Sequence, residues 1–316
     1  SKSISLDKIN LKKQSLTIFV ILFSLVSSHI FAQNHTNTQQ SAIDFDSIIL
    51  ADAFSLDHTE KFGSLIIQDA GGRMKPANTF SSELLRKVSK SDTYKGLNSD
   101  QVLLSIMNNP AVWYNVPMIY LKRGNDSLRS IIGIGVKEKY APLLSFFDTE
   151  GNYKIAPQLE ASYRAALPNQ FQKDFIEVDK KVNLLYSALE GKIMRIFPIP
   201  DDPNNKWVSY PELNTTRFTG KDSLYVKNIL PLYFQSLRIA QKDNDYNQAE
   251  NLLESINGFQ KKFGNEVLPS KDKVKTEILY NKYDIFKKLF SWYLYSGLLF
   301  FLILIIQIFK SNRLIS

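Results

Sequence analysis

The sequence contains no cysteine at all. A structural disulfide, a cysteine-bound zinc or iron–sulfur cluster and a thiol nucleophile are therefore excluded. Histidine is also scarce, with only His29, His35 and His58 among 316 residues. A site built from three histidines is not expected from so few, and two of them lie in or beside a polar stretch. The residue types that most often bind metals are thus nearly missing.

A dense block of basic residues is missing too. The chain has 39 Lys and Arg against 31 Asp and Glu, and its formal net charge is +8. These cations are spread along the sequence, whereas a nucleic-acid-binding surface would be expected to concentrate them on one element. We therefore expect no nucleic-acid partner. The same basicity is typical of a membrane protein with cationic flanks.

The glycine-rich motifs of phosphate-binding loops do not occur. The stretch GGRMKP begins at Gly71, between a strand-like and a helix-like segment, but it has neither Walker nor dinucleotide-binding spacing. Pro76 also removes a backbone N–H that a phosphate cradle would use. We interpret the stretch as a tight turn in which glycine adopts positive φ and Arg73 pairs with an acidic side chain. Contact of Arg73 and Lys75 with an anion is the alternative.

Formal charge is absent from two long segments, residues 15–32 and 289–309. A helix of about 20 residues crosses the ~30 Å hydrocarbon core of a bilayer, so the second segment predicts a transmembrane helix. The first fits an uncleaved anchor and a signal peptide cleaved after Ala32 equally well. Because lysines precede the first segment and Lys310 follows the second, both chain ends are expected in the cytoplasm and the residues between them outside.

These segments divide the chain. We predict a cytoplasmic basic flank (1–14), a transmembrane helix or signal sequence (15–32), a polar linker (33–60), an extracytoplasmic α+β domain (61–220), a helical hairpin with a stalk helix (221–288), a transmembrane helix (289–309) and a cytoplasmic tail (310–316). The fold class is expected to be mainly α with a few short β-strands, flanked by two membrane-spanning helices. The chain begins with Ser rather than Met, which is consistent with a piece of a longer polypeptide.

Local patterns predict details within this division. The polar residues at the start of the linker are not expected to pack, so order is expected to begin near Phe62. Asn78 or Thr79 is expected to cap the helix after the glycine turn. Residues 118–134 have the pattern of a β-hairpin around Gly124.

Helical periodicity is clearest between residues 171 and 189, and Gly191 is expected to end that helix. Its apolar stripe is attributed to core packing rather than to a cofactor site. Residues from 224 onward are expected to form a helical hairpin, and a stalk helix over 271–288 is expected to run directly into the membrane span. The stripe consists of Phe171, Phe175, Val178, Val182, Leu185 and Leu189.

Motifs spread over residues 62–309 resemble the extracytoplasmic domain of fused System II cytochrome c biogenesis proteins, the ResB/CcsA type. The segment QDAGGRMKPANTFSSELLRKVS, residues 68–89, resembles that domain's pattern of Gly-Arg-x-Lys-Pro followed by Thr, Glu and Lys. The residues that carry the resemblance are Gly72, Arg73, Lys75, Pro76, Thr79, Gln101, Trp113, Pro117, Pro198 and Trp207.

The resemblance implies a role in haem attachment. Proteins of this family carry haem across the inner membrane and present it to the thiols of apocytochromes c, and the full family acts as a cytochrome c synthetase. In the family, haem is held by a tryptophan-rich segment and by histidines. Here the three tryptophans are far apart and no histidine follows His58. We therefore expect no catalytic residue, no metal site and no cofactor in this chain, with haem handled by the wider assembly.

His29 is a separate candidate, since it lies near the outer end of the first apolar segment. An ionisable residue within a membrane suggests a function, and a neutral imidazole can be an axial haem ligand. The simpler explanation is that its ring reaches water at the interface, or that the segment is a cleaved signal.

Three hypotheses for function follow. The first is a membrane-anchored structural domain in the bacterial inner membrane, with its bulk in the periplasm and with a CcsA-type haem-handling module, apocytochrome c and the lipid bilayer as partners. The second is a periplasmic sensor or binding module that docks another membrane protein without haem. The third is an enzyme acting on a polar substrate through Arg73, Lys75 and Glu83, which is weakened because no nucleophile with a nearby base is visible.

Overall fold

The computed structural model describes residues 44–309, apart from the side chains of residues 286, 287 and 309. The predicted first apolar segment, its basic flank, His29 and the tail after residue 309 lie outside the described residues. Within the described part, helices predominate, and the short strands pair only in antiparallel two-stranded sheets. The expectation of a mainly helical α+β fold is confirmed for this part of the chain.

The elements follow one another in short steps along the chain. The helices are α1 (Phe45–Ala51), α2 (Leu56–Gly63), α3 (Ala77–Ser89), α4 (Ser99–Asn108), α5 (Pro110–Trp113), α6 (Asp126–Ile132), α7 (Ala156–Arg164), α8 (Gln170–Leu189), α9 (Gly220–Asp243), α10 (Asn247–Gly264), α11 (Lys271–Tyr283) and α12 (Ile285–Phe309). The strands pair as β1 (Ile66–Gln68) with β2 (Met74–Pro76), β3 (Thr93–Tyr94) with β4 (Leu97–Asn98), β5 (Pro117–Tyr120) with β6 (Tyr140–Pro142), and β7 (Phe197–Pro198) with β8 (Trp207–Val208).

Helix α8 runs through the middle of the body and contacts α3, α4 and α7. Its N-terminus is closed by a reciprocal capping box between Asn169 and Gln172. The predicted stripe is buried from Phe175 onward, which confirms that it is core. Phe171, in the first turn, is the exception, since 43% of its surface is exposed.

The predicted helical hairpin is formed by α9 and α10, and α2 holds it to the body. His58 of α2 is fully buried, and its Nε2 lies 2.8 Å from the Tyr233 hydroxyl of α9. The ring also stacks on Tyr246, with centroids 5.0 Å apart. Burial lowers the pKa of His58 to about 4, so the imidazole is neutral at ordinary pH.

A second junction fixes α10 to the small sheets. The Gln260 side chain donates to the carbonyl oxygens of Ile66 and Ile196 and accepts from the backbone N–H of Ile66. Trp207 lies directly against the end of α10, because a Cβ at Gly264 would come within 2.5 Å of its Cζ2. The close approach therefore requires glycine at position 264.

Order begins earlier in the chain than predicted. Asp44 and Ser55 accept backbone N–H groups at the starts of α1 and α2, and Ile49 and Phe54 are buried. The Tyr94 hydroxyl donates to Asp46 at 2.5 Å and ties α1 to the body. The prediction that order begins near Phe62 was wrong. It assumed that the polar character of the chain before residue 44 continues up to Phe62, but apolar residues in between pack into the core.

The β-hairpin predicted around Gly124 is also wrong. Residues 126–132 form α6, since the side chain of Asn125 accepts the N–H of Leu128 and caps the helix. Strand β5 pairs instead with β6. Arg129, only 2% exposed, stabilises the loop by donating to the carbonyl oxygens of Leu121, Lys122, Asn125 and Glu138.

Helix α3 begins two residues earlier than a cap at Asn78 would allow, and three earlier than a cap at Thr79 would. Pro76 occupies the N-cap position, and no side chain caps the helix there. Asn78 and Thr79 lie inside the first turn, where their side chains are free to contact other elements.

The stalk helix does not continue into the membrane span as predicted. Helix α11 ends at Asp284, whose backbone is left-handed with φ 45°, and α12 starts at Ile285. Within α12, residues 288–308 are the one segment of the described chain that is long and apolar enough to cross a membrane, and none of its most apolar window is buried. The predicted second span is thus an apolar helix held apart from the core.

Candidate functional site

The GGRMKP stretch forms the turn between β1 and β2. Gly72 has φ 85°, and the Asp69 carboxylate accepts the backbone N–H groups of Gly71 and Arg73 at 2.9 and 3.1 Å. Burial raises the pKa of Asp69, but these bonds and the charge of Lys75 outweigh it and lower the pKa overall. The predicted tight turn with a positive-φ glycine is confirmed.

Lys75 points inward from this turn and fixes it to α3. Its side chain is 6% exposed, and its Nζ lies 3.1 Å from Glu83 and 3.5 Å from Asp69. Although burial raises the pKa of Glu83, its hydrogen bond to Lys75 and the charge of that lysine lower it overall. Lys75 is therefore a paired structural cation rather than an exposed anion-binding group.

Arg73 points the other way and contacts the stalk helix. Its Nη2 donates to Glu277 Oε1 of α11 at 2.7 Å, and the Thr79 hydroxyl donates to the same oxygen at 2.9 Å. One turn further, Asn281 Nδ2 donates to Thr79 Oγ1 at 2.9 Å and to Asn78 Oδ1 at 3.2 Å. The prediction that Arg73 pairs with an acidic side chain is confirmed, and the partner belongs to the helix that precedes the apolar helix α12.

These contacts continue inward to a buried carboxylate. Asn78 Nδ2 donates to Asp100 Oδ2 at 2.7 Å, and the hydroxyl of Ser81 donates to its other oxygen. Burial raises the pKa of Asp100, and both hydrogen bonds oppose this shift. A Cβ at Gly63 would come within 2.7 Å of Asp100, so the carboxylate packs directly on α2. A polar network therefore connects the core to α11.

We call this set of contacts the stalk clasp: Arg73, Asn78 and Thr79 on the body, Glu277 and Asn281 on α11. The clasp is entirely polar, and no residue of α11 is buried. One further ion pair, Lys282 to Glu60 at 2.9 Å, joins α11 to α2. The stalk is thus held by hydrogen bonds and charges with little apolar burial.

An open cleft of about 580 Å³ lies between α3 and α11, beside the stalk clasp. The α3 side contributes Thr79, Glu83 and Arg86, spaced so that they share one face of the helix. The cleft is polar on both walls. Its remaining lining residues are Arg73, Lys273, Thr276, Glu277, Tyr280 and Asn281.

The structure brings together only part of the motif that carries the family resemblance. Gly72, Arg73, Lys75, Pro76 and Thr79 meet at the β1–β2 turn and the start of α3.

The other motif residues lie in the body, away from the cleft. Gln101 closes the capping box of α4, Trp113 is buried and donates to Ser105, Pro117 and Pro198 lie in strands, and Trp207 is buried against α10. Their positions indicate structural roles.

Reasoning from sequence did not identify Glu277, Asn281 or Asp100. Glu277 and Asn281 are four residues apart and so share a face of α11, which was the available signal. Nothing in the sequence indicates that this face meets residues about 200 positions earlier.

The arrangement of His58 and of the cleft gives no support to haem binding by the described residues. His58, the histidine within the described range, is buried with Nε2 hydrogen-bonded to Tyr233 and its ring against Tyr246. The cleft lining contains no His, Met or Cys side chain that could be an axial ligand. Residues 44–309 also contain no group of three or more His, Asp or Glu suited to a metal ion. That haem is handled elsewhere stays a prediction, as does the assignment of His29.

Comparison with known proteins gives one informative match. No family model matches the chain. The chain is 31% identical over 249 residues to Protein NrfI of Wolinella succinogenes. The match covers 78% of this chain but 26% of NrfI, so this chain spans about a quarter of that relative's length. The match supports the broader resemblance to cytochrome c biogenesis proteins and does not single out the ResB/CcsA fusion.

Proposed function

We propose that this chain is the membrane-anchored structural domain of a cytochrome c maturation protein. Its similarity to NrfI supports a role in cytochrome c maturation. In this proposal the body lies in the periplasm, α12 anchors it in the inner membrane, and the domain positions a haem-handling membrane module relative to apocytochrome c. The haem chemistry itself is carried out by other parts of the assembly.

The stalk clasp is the observation that carries this proposal. Arg73 and Thr79, two of the residues that carry the family resemblance, contact Glu277 on the helix that leads to the apolar helix α12. A motif at this junction influences the position and orientation of the body relative to the bilayer. Positioning is therefore the function that the geometry supports best.

The geometry gives no support to the enzyme hypothesis. Lys75 is buried and shared by Asp69 and Glu83, so it is not available to a substrate. Arg73 is engaged by Glu277. Within the described residues, the imidazole of His58 lies next to a buried tyrosine hydroxyl that no solute reaches.

The test is to release the stalk and measure cytochrome maturation. The complete protein would be expressed with a c-type cytochrome reporter in a bacterial strain that lacks its own maturation system. We expect Arg73→Ala/Glu277→Ala to lower covalently attached haem, measured by peroxidase-active staining, at unchanged protein level and membrane insertion. The matched control is Arg164→Ala/Glu160→Ala, which removes an exposed Arg–Glu pair on α7 with N–O distance 2.6 Å.

Equal haem attachment by the clasp variant and the control variant would reject the positioning role. If the wild-type protein neither supports haem attachment nor co-purifies with a haem-handling membrane module, the sensor hypothesis replaces ours.

A further inference from the structure

The cleft between α3 and α11 has two cations at the end away from the stalk clasp. Thr79 meets Glu277 and Asn281 at the closed end. Arg86, two turns beyond Thr79 on α3, and Lys273, one turn before Glu277 on α11, line the same cleft. Arg86 and Lys273 thus line the cleft beyond the contacts of the stalk clasp, and we call this part of the cleft its mouth.

Among the described residues, Arg86 has one long ion pair to a carboxylate and Lys273 has none. The nearest carboxylate to Arg86 is Asp92 at 3.7 Å, and both side chains are largely hydrated, with 39% and 49% exposure. Lys273 forms no ion pair within residues 44–309. An exposed pair at this distance contributes little, so positive charge is left over at the mouth.

The carboxylates inside the cleft do not neutralise this charge. Glu83 accepts from Lys75 and Lys87, at 3.1 and 3.4 Å. Glu277 accepts from Arg73 and the Thr79 hydroxyl. Both acids are thus occupied by nearer donors, and the mouth is electrostatically suited to an external anion.

We propose that this cleft binds an acidic, extended segment of a partner protein, with one carboxylate of that segment between Arg86 and Lys273. A volume of about 580 Å³ is sufficient for a few side chains. The hydroxyl of Thr276, on the wall next to Lys273, is a further donor for a peptide group. This binding site goes beyond the proposed function, because it depends only on the cleft and does not require that the protein acts in cytochrome c maturation.

A protein segment fits better than a lipid headgroup. Lys273 lies on α11 eleven residues before Asp284, which corresponds to about 17 Å along the helix axis at a rise of ~1.5 Å per residue. The membrane span begins only after that point, at residue 288. The cation pair is therefore at the end of α11 opposite to the membrane.

The experiment uses the full chain in nanodiscs of zwitterionic lipid. A fluorescein-labelled peptide of alternating aspartate and glutamate is the probe, and binding is followed by fluorescence anisotropy at low ionic strength. We expect Arg86→Gln/Lys273→Gln to weaken binding about tenfold, since two charge-assisted hydrogen bonds are lost. The charge-matched control Lys180→Gln/Lys227→Gln removes two exposed lysines elsewhere on the body and should bind as wild type.

A second measurement maps the position of the peptide. A photoreactive amino acid in place of Thr276 should crosslink to the probe, whereas the same substitution at Lys180 should not. Equal thermal unfolding temperatures for all variants exclude misfolding as the cause of weaker binding.

Three outcomes overturn the proposal. One is equal affinity of the cleft variant and the control variant. Another is displacement of the peptide by inorganic phosphate at equal concentration, which indicates a small-anion site. The last is crosslinking of the photoreactive residue at position 276 to phosphatidylglycerol when the nanodiscs contain it, which indicates that a lipid occupies the cleft. None of these results depends on haem attachment, so failure here leaves the proposed function to its own test.

Discussion

Two neighbouring helices attach to the same body in opposite ways. Helix α10 buries apolar side chains along its length, including Leu253, Ile256 and Phe259, and its last residue, Gly264, touches Trp207. Helix α11 buries no residue and is held by the stalk clasp and one ion pair to α2. The contrast separates a permanent part of the core from an attachment that water and ions can reach.

This difference has an energetic meaning. Ionic screening does not weaken apolar burial, and removing a buried ring leaves a cavity. Exposed ion pairs contribute about 0–1 kcal/mol and weaken as salt screens them. We infer that α10 unfolds only with the body, whereas α11 can leave the body at a free-energy cost well below global unfolding.

The largest expected effect tests the α10 side. Phe259 packs against the rings of Phe197, Phe218, Tyr225 and Phe263. We expect Phe259→Ala to lower the free energy of unfolding by about 3–5 kcal/mol, because a buried ring is replaced by a cavity. Urea denaturation measures this loss.

The matched variant on α11 is Ile278→Ala, whose side chain is only half-buried. We expect a smaller loss than for Phe259→Ala, about 1–2 kcal/mol, because part of the Ile278 side chain is already in contact with water in the folded protein. Similar losses for the two variants would contradict the contrast between α10 and α11.

The end of α10 gives the next largest effect. A methyl group at position 264 would come within 2.5 Å of Trp207 Cζ2, so Gly264→Ala should destabilise the protein by about 1–3 kcal/mol through overpacking. Gly258, in the same helix, has nothing within 4 Å of a Cβ. Gly258→Ala should therefore stabilise by roughly 0.5–1 kcal/mol, since alanine favours helix. The two unfolding midpoints should move in opposite directions, and a shared direction would show that the close approach to Trp207 is not limiting.

Acid should weaken the α2–hairpin junction through His58. Burial lowers the pKa of His58 from 6.5 to about 4 in the folded protein. Between these two values the unfolded chain binds the proton more readily, so stability falls as pH drops from about 6.5 towards 4, and this contribution is fully present above 6.5. We expect His58→Gln to flatten this part of the stability–pH curve, measured by denaturation at stepped pH, with Asp57→Asn on the surface of the same helix as the control. An unchanged slope would show that His58 titrates normally.

The smallest effect tests the α11 side. Glu277→Gln should change the free energy of global unfolding by less than about 1 kcal/mol, because the residue lies outside the core. It should nevertheless speed amide hydrogen exchange in residues 271–283, as should added salt in the wild type, while exchange in α10 stays slow. Glu254→Gln, on the exposed face of α10, is the control. Unchanged exchange in α11 would mean that the stalk clasp does not hold the stalk.

Local patterns were sufficient for the elements that depend on them. The stripe of α8, the α9–α10 hairpin and the turn at Gly72 follow from periodicity and from the conformational freedom of glycine. That Arg73 would pair with an acid was also predictable. The identity of that acidic residue was not predictable, because Glu277 lies 204 residues away from Arg73 and no local rule relates the two.

The wrong prediction of a β-hairpin around Gly124 also has a physical cause. Residues 126–132 contain β-branched and apolar side chains that suit a strand, yet the cap at Asn125 and the four carbonyls gathered by Arg129 favour a helix. These side-chain hydrogen bonds, which all join residues fewer than ten positions apart, override the strand propensity of the individual residues. The predicted domain boundaries and the roles assigned to individual motif residues stay predictions.

The left-handed residue at Asp284 affects how motion passes between membrane and body. A continuous helix carries rotation from one end to the other, so twisting the span would turn every side chain of the stalk. The reversed backbone step at Asp284 interrupts the helix, so α11 and α12 need not share one axis. In the proposed membrane-anchored arrangement, tilting of α12 would therefore not by itself pull Glu277 and Asn281 away from their partners.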